Sequence, residues 1–406
     1  MLRCNVMLVS TKNNQAFAAI LTLEEPRAVA TLEISKAESD SGFEFGYRPE
    51  LDGFRGTAIL LVVAGHFLEF HTTSRAAHEF ALAIAQLGVL LFFVLSGFLI
   101  TGILHSEKKL TGGVDFRKFY TRRVLRLAPA LLMFLFAVGV LVRLGLVTDV
   151  TSREFLECLF YSRNIFGHSM SLGHIWSLSL EEQFYLLWPL TFSLLAWKRG
   201  PAIIAWVCGG FMVWRGLAIA LHLFSYDLGV FYVRPYFRFD SILIGALVAL
   251  WLGSSETRLR RVRKLARECP SGVLWGAVGI WALIGEGTSR PLHITVSEIL
   301  VAAALAQVVL MPDSWAGTIL RHRGLRYLGT ISYSVYLWQE LFVTADSPTW
   351  GVLRQFPLAI VCPVAIAIAS YHLVEKPILG LKDHFAPHVV LSERQSFVQG
   401  RSGLRT

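Results

Sequence analysis

Ten apolar stretches, most of them near the length that carries a helix across a bilayer, recur along this chain and leave little room for another architecture. They fall near 57–70, 85–104, 124–146, 176–197, 202–223, 238–253, 271–286, 294–311, 328–345 and 355–374. A span needs roughly 20 apolar residues, at about 1.5 Å each, to cross about 30 Å of hydrocarbon. The chain is 406 residues long, 54% hydrophobic and 17% charged, where a soluble domain is about 25% charged. The expected fold is therefore all-α and integral to the membrane, with about ten transmembrane helices.

The basic residues then orient those helices. Lys108, Lys109, Arg117, Lys118, Arg122 and Arg123 follow the second stretch, and Lys198 and Arg199 follow the fourth. The run RLRRVRKLAR follows the sixth, Arg321, Arg323 and Arg326 follow the eighth, and Lys376 and Lys382 lie in the tail. The alternate loops hold little more than Arg75, Arg153, Arg163, Arg234 and Arg290. By the positive-inside bias this alternation predicts a multi-pass protein of the inner (plasma) membrane with both termini cytoplasmic. It also explains the net charge of +9 as helix flanks facing membrane lipids, and no nucleic-acid partner is expected. Cys4, Cys158, Cys208, Cys269 and Cys362 are scattered without ligand-like spacing, so no metal site is expected. Residues 1–46 read as a polar, disordered extension, 47–380 as the membrane domain and 381–406 as a cytoplasmic tail.

Ionisable residues inside such spans are costly and call for a reason. Counted from Thr57, His66 lies about 14 Å along the first span, near the bilayer midplane. It reads either as a core histidine bonded between helices or as a general base able to take a proton from a hydroxyl. Asp52 and Arg55 precede it at the expected cytoplasmic mouth, where a phosphorylated donor would arrive. Arg123 and Arg126 are three apart, on one helical face. Their guanidinium forks suit phosphate oxygens such as those of a coenzyme A thioester. Arg117 and Lys118 read as membrane anchors, and Arg122 fits an anchor as well as a donor contact. Farther on, Glu181, Tyr185 and Trp188 share a face, preceded by Trp176 and flanked by Glu182. They read as an interfacial aromatic belt or as an acceptor site, with rings for sugars and a carboxylate for hydroxyls or for orienting an imidazolium. Arg238 and Asp240 form a further charged group at the outer end of the sixth span, with Gly245 beneath for close packing.

The segments RPELDGFRGTAILLVVAGHF, LLFFVLSGFLIT, FRKFYTRRVLRLAPAL, HIWSLSLEEQFYLLWP, FRFDSILIGALVA, LGTISYSVYLWQ and YHLVEKPIL occur in this order across residues 48–380. Together they resemble the acyltransferase 3 family of membrane O-acyltransferases. The resemblance implies a ten-helix acyltransferase 3 bundle that transfers an acyl group other than an amino-acyl group. It implies acyl-CoA as cytoplasmic co-substrate, with acetyl-CoA the expected case and no bound cofactor. The acceptor would be a hydroxyl of a carbohydrate or glycolipid. By position it implies His66 as catalytic base, Arg123 and Arg126 as an essential pair, and Glu181 as the motif carboxylate. Arg55 and Arg122 join the donor set, and Trp176, Glu182, Tyr185, Arg238 and Asp240 make up the acceptor set. Where the family often has His after YLW, this chain has Gln339. The rival readings are a proton-coupled transporter or flippase using His66 as a relay, and a non-catalytic scaffold. The transporter would move its substrate and leave an acyl donor intact, and the scaffold would tolerate loss of these residues.

Overall fold

The computed structural model describes residues 43–166, 169–195, 199–223, 233–284, 290–344 and 350–381. Most of the N-terminal extension, Lys198, Ser289, Lys382 and the remainder of the tail lie outside the described residues. Among these residues regular structure is helical, with no strand. The helices are α1 (Pro49–His71), α2 (Arg75–Thr111), α3 (Phe116–Arg143), α4 (Ser152–Leu159), α5 (Arg163–Phe166), α6 (Ile175–Leu194), α7 (Gly200–Ala220) and α8 (Pro235–Ser254). They continue with α9 (Glu256–Glu268), α10 (Ser271–Ile284), α11 (Arg290–Leu310), α12 (Trp315–Leu320), α13 (Arg323–Gln339), α14 (Leu341–Thr344), α15 (Leu358–Ser370) and α16 (Lys376–Gly380). A π-helical turn, Tyr371–Glu375, joins the last two.

Every apolar stretch of the sequence forms a helix. Seven helices among the described residues are long and apolar enough to cross a membrane. Of the other three, α10 is 14 residues long, while α6 and α13 carry polar side chains whose role appears below. The chain is an all-α membrane protein.

Helices come close where glycine lets backbone meet backbone, the usual device where lipid gives no hydrophobic drive to association. A Cβ on Gly97 would sit 1.9 Å from the carbonyl of Ile242, and one on Gly245 would sit 1.8 Å from that of Val94. This pair of contacts locks α2 to α8. At the start of α1, a Cβ on Gly329 would stand 1.8 Å from the Asp52 carbonyl, so α13 and α1 touch there. The first helix begins at Pro49 rather than Thr57. His66 is therefore about 25 Å along its axis at 1.5 Å per residue, toward the far end and not midway. Phe43 is buried and Phe45 packs against Phe98 and His105, so the last residues of the expected N-terminal extension belong to the bundle.

Candidate active site

At one end of the bundle, the starts of α1, α3 and α13 with the π turn and α16 enclose a vestibule of about 450 Å³. Five arginines line it, Arg48, Arg55, Arg122, Arg123 and Arg126, against two carboxylates, Asp52 and Glu375. The arginines cluster because α1 and α3 each bring theirs at helical spacing. Asp52 steadies Arg55 at 3.7 Å and accepts a hydrogen bond from Tyr47 at 2.7 Å. Glu375, in the π turn, accepts from the hydroxyls of Ser334 and Ser370.

Arg55, Arg123 and Arg126 reach past the vestibule into a narrower chamber of about 90 Å³. Its other wall comes from α6: Ser177, Glu181, Glu182 and Tyr185. Ser96 and Tyr185 both donate to Glu181, at 3.0 and 2.9 Å, and Arg123 lies 3.8 Å over the Tyr185 ring. Ser332, Tyr333 and Tyr336 close the chamber from α13. The donor set predicted from sequence is thus gathered around two adjoining cavities, Arg122 in the vestibule and Arg55, Arg123 and Arg126 in both. Glu182 and Tyr185, predicted for the acceptor, stand in the narrower chamber beside the arginines.

The remaining acceptor candidates go elsewhere. Trp176 meets Phe93 edge-on at 5.8 Å, and Arg238 sets its guanidinium 5.8 Å from the same ring. Asp240 is held by the fully buried Arg215 at 2.8 Å. Arg215 also binds Glu298 at 3.3 Å, the Thr295 hydroxyl at 2.8 Å and the Phe237 carbonyl at 2.9 Å. Arg238 and Asp240 point apart for a simple reason: residues two apart on a helix lie on different faces. Arg215 escaped notice in the sequence, although an arginine inside the apolar run 202–223 was a signal.

His66 lies about 16 Å along α1 from Arg55 at 1.5 Å per residue. Its partner is not Glu181 but Glu340, just past α13, whose Oε2 is 3.0 Å from Nδ1. The Gln339 amide lies against the same nitrogen, with Oε1 at 3.1 Å and Nε2 at 2.9 Å. Glu340 and Gln339 are 7% and 1% exposed, so this carboxylate is carried into the interior for a purpose. Sequence reasoning noticed Gln339 and passed over its neighbour. Among the described residues no group of three or more metal-ligating side chains occurs.

The bundle thus holds an arginine-lined cavity at one end and a carboxylate-bound imidazole farther along α1. The chain belongs to the acyltransferase 3 family, described as an acyltransferase domain, which matches residues 48–372. A Bacillus subtilis (strain 168) protein named as a provisional peptidoglycan O-acetyltransferase, YrhL, is 29% identical over 364 residues, 82% of this chain and 55% of that protein. The Staphylococcus aureus (strain NCTC 8325 / PS 47) O-acetyltransferase OatA is 28% identical over 360 residues, 82% of this chain and 57% of that protein. The chain thus spans little more than half the length of these curated relatives. No solved structure matches it.

Proposed function

We propose that this protein transfers an acyl group, acetyl in the expected case, from acyl-CoA to a hydroxyl of a carbohydrate or glycoconjugate of the cell envelope. The observation that carries the reading is the pairing of an arginine-lined cavity at one end with the His66 imidazole about 16 Å farther along the same helix. A nucleotide thioester has the matching shape, with phosphates at one end and a reactive carbonyl at the end of a long arm.

On this reading Arg55, Arg122, Arg123 and Arg126 take the donor phosphates as charge-assisted hydrogen bonds. The arm runs through the chamber, and Glu181, bonded to Ser96 and Tyr185, shapes its wall rather than orienting His66. At the far end His66 takes the proton of the acceptor hydroxyl. The oxygen attacks the thioester carbon, the C–S bond breaks, and the leaving sulfur recovers the proton. The products are an ester and a free thiol. The relatives' names favour acetyl transfer to an envelope polymer. The basic loops favour a cytoplasmic vestibule in the plasma membrane.

The test is transfer of radiolabelled acetyl from acetyl-CoA into glycan in membranes holding matched amounts of wild-type and Arg123→Ala/Arg126→Ala protein. Transfer by the wild type that collapses in the double variant is expected. Transport of an intact thioester without acetyl transfer would instead favour the transporter reading.

A further inference from the structure

We infer that Glu340 is the positioning residue of this site, holding His66 as the Nδ1–H tautomer so that Nε2 is the nitrogen offered to the acceptor. This rests on the acyl-transfer reading above. The sequence suggested Glu181 for the task of orienting an imidazolium, but the structure puts that carboxylate in the arginine chamber and places Glu340 on His66.

Glu340 Oε2 lies 3.0 Å from Nδ1, and Gln339 Oε1 lies 3.1 Å from the same atom. A carboxylate and an amide oxygen are both acceptors, and a neutral imidazole has one N–H to give. The Gln339 amide presents its nitrogen to the same atom as well, at 2.9 Å, so it is the carboxylate, which can only accept, that sets the proton on Nδ1 and leaves the lone pair on Nε2. Gln339 Nε2 donates to Glu340 Oε2 at 2.8 Å. The amide thus fixes the carboxylate while the carboxylate fixes the ring. Glu69 on α1 and His174 ahead of α6 also face this imidazole through space, but it is Glu340 whose oxygen touches it.

The same contact serves the reaction. When Nε2 takes the acceptor proton, the ring becomes an imidazolium beside a carboxylate already in place. No unpaired charge is created in a poorly screened interior. The acceptor oxygen then bonds to the thioester carbon, the sulfur leaves, and Nε2 returns its proton to that sulfur. Glu340 stays ionised throughout, as the buried carboxylate of a serine-protease triad does.

Glu340→Gln separates this role from simple packing, because it keeps the size and one acceptor while removing the charge. The experiment uses full-length protein in micelles, labelled with ¹⁵N-histidine, with the His66 signal assigned from a His66→Gln spectrum. Acetyl transfer is measured on the same preparations. Wild-type His66 should be the Nδ1–H tautomer, and Glu340→Ala should lose that preference. In Glu340→Ala, kcat should fall by at least about 100-fold with donor KM within about twofold, the scale on which a general base counts. Glu340→Gln, whose amide can donate to Nδ1 as well as accept from it, should weaken the tautomer preference and lose roughly 10-fold or more in kcat, and Glu340→Asp should restore both in part. An Nε2–H tautomer in the wild type, or wild-type kcat in Glu340→Gln, would overturn the inference. A wild-type protein that transferred no acetyl group would instead sink the acyl-transfer reading, and the tautomer measurement would still decide what Glu340 does to His66.

Discussion

At the residue scale, the basic side chains of one end of the bundle divide into two kinds. Lys264 has a side chain 76% exposed and pairs with Glu268, one turn along its own helix, at 3.7 Å. Arg123 stands over Tyr185 at 3.8 Å and lines both cavities. Losing a hydrogen bond to a charged ligand costs about 1.5–3 kcal/mol, or roughly 10–100-fold in affinity, whereas an exposed ion pair is worth about 0–1 kcal/mol. Arg123→Ala should raise the donor KM on that scale and Lys264→Ala should leave it unchanged, as steady-state kinetics with acetyl-CoA will read. The sequence made Arg123 and Arg126 legible because their spacing on one helix is local. Glu340 was not legible, because its partner lies more than 270 positions away and a carboxylate after YLWQ looks like an ordinary end of a span. Glu375 was hidden in the same way, since the two serines that hold it come from different helices.

At the element scale, two of the helices that look least like spans, α6 and α13, share the site with the clear spans α1 and α3. Helix α6 spends residues on Ser177, Glu181, Glu182 and Gln183, and α13 on Ser332, Tyr333 and Tyr336, so their apolar character is diluted where the cavity runs. The glycines of the motifs mark contacts rather than turns. Gly245→Ala would press a Cβ into backbone at 1.8 Å, whereas nothing lies within 4 Å of a Cβ on Gly276. Overpacking of this kind costs about 1–3 kcal/mol. Gly245→Ala should therefore lower Tm in detergent by several degrees and Gly276→Ala should not, a difference thermal scanning can read.

The short helix α4 outside the spans gives a pH prediction. Burial pushes the Glu154 carboxyl up, but the backbone N–H groups of Thr151 and Ser169, the Ser169 hydroxyl and Arg163 outweigh it and hold it at about 2 rather than 4.5. A carboxyl lowered on folding adds stability above its unfolded value and loses it as pH falls toward the folded value. The segment around Ser169 should keep its proteolytic resistance from pH 7 to about 4.5 and lose it progressively toward pH 2. Resistance unchanged at pH 2 would mean that Glu154 does not hold this loop.

At the scale of the whole molecule, the apolar stretches forecast the all-α bundle, because that signal is carried by consecutive residues, and seven helices among the described residues are long and apolar enough to span. How the helices meet was less legible, since it depends on contacts between distant glycines. The orientation proposed from the basic loops is open to cysteine labelling in a cysteine-depleted background. Lys109→Cys and Arg260→Cys should be reached from one side, and Thr73→Cys and Met170→Cys from the other. Met170 is 56% exposed and so open to the reagent. Labelling of all four positions from one face would contradict the arrangement.

The central claim is that donor and acceptor arrive from opposite ends and meet at His66. It is tested most directly in sealed proteoliposomes of known orientation, with radiolabelled acetyl-CoA supplied outside and a chitin oligosaccharide enclosed. The account predicts acetylated oligosaccharide in the lumen when the arginine vestibule faces outward, and none when the orientation is reversed. His66→Gln should abolish transfer by at least about 100-fold, since glutamine keeps the size but takes no proton near neutral pH. Equal transfer in both orientations, or near-normal transfer by His66→Gln, would contradict it.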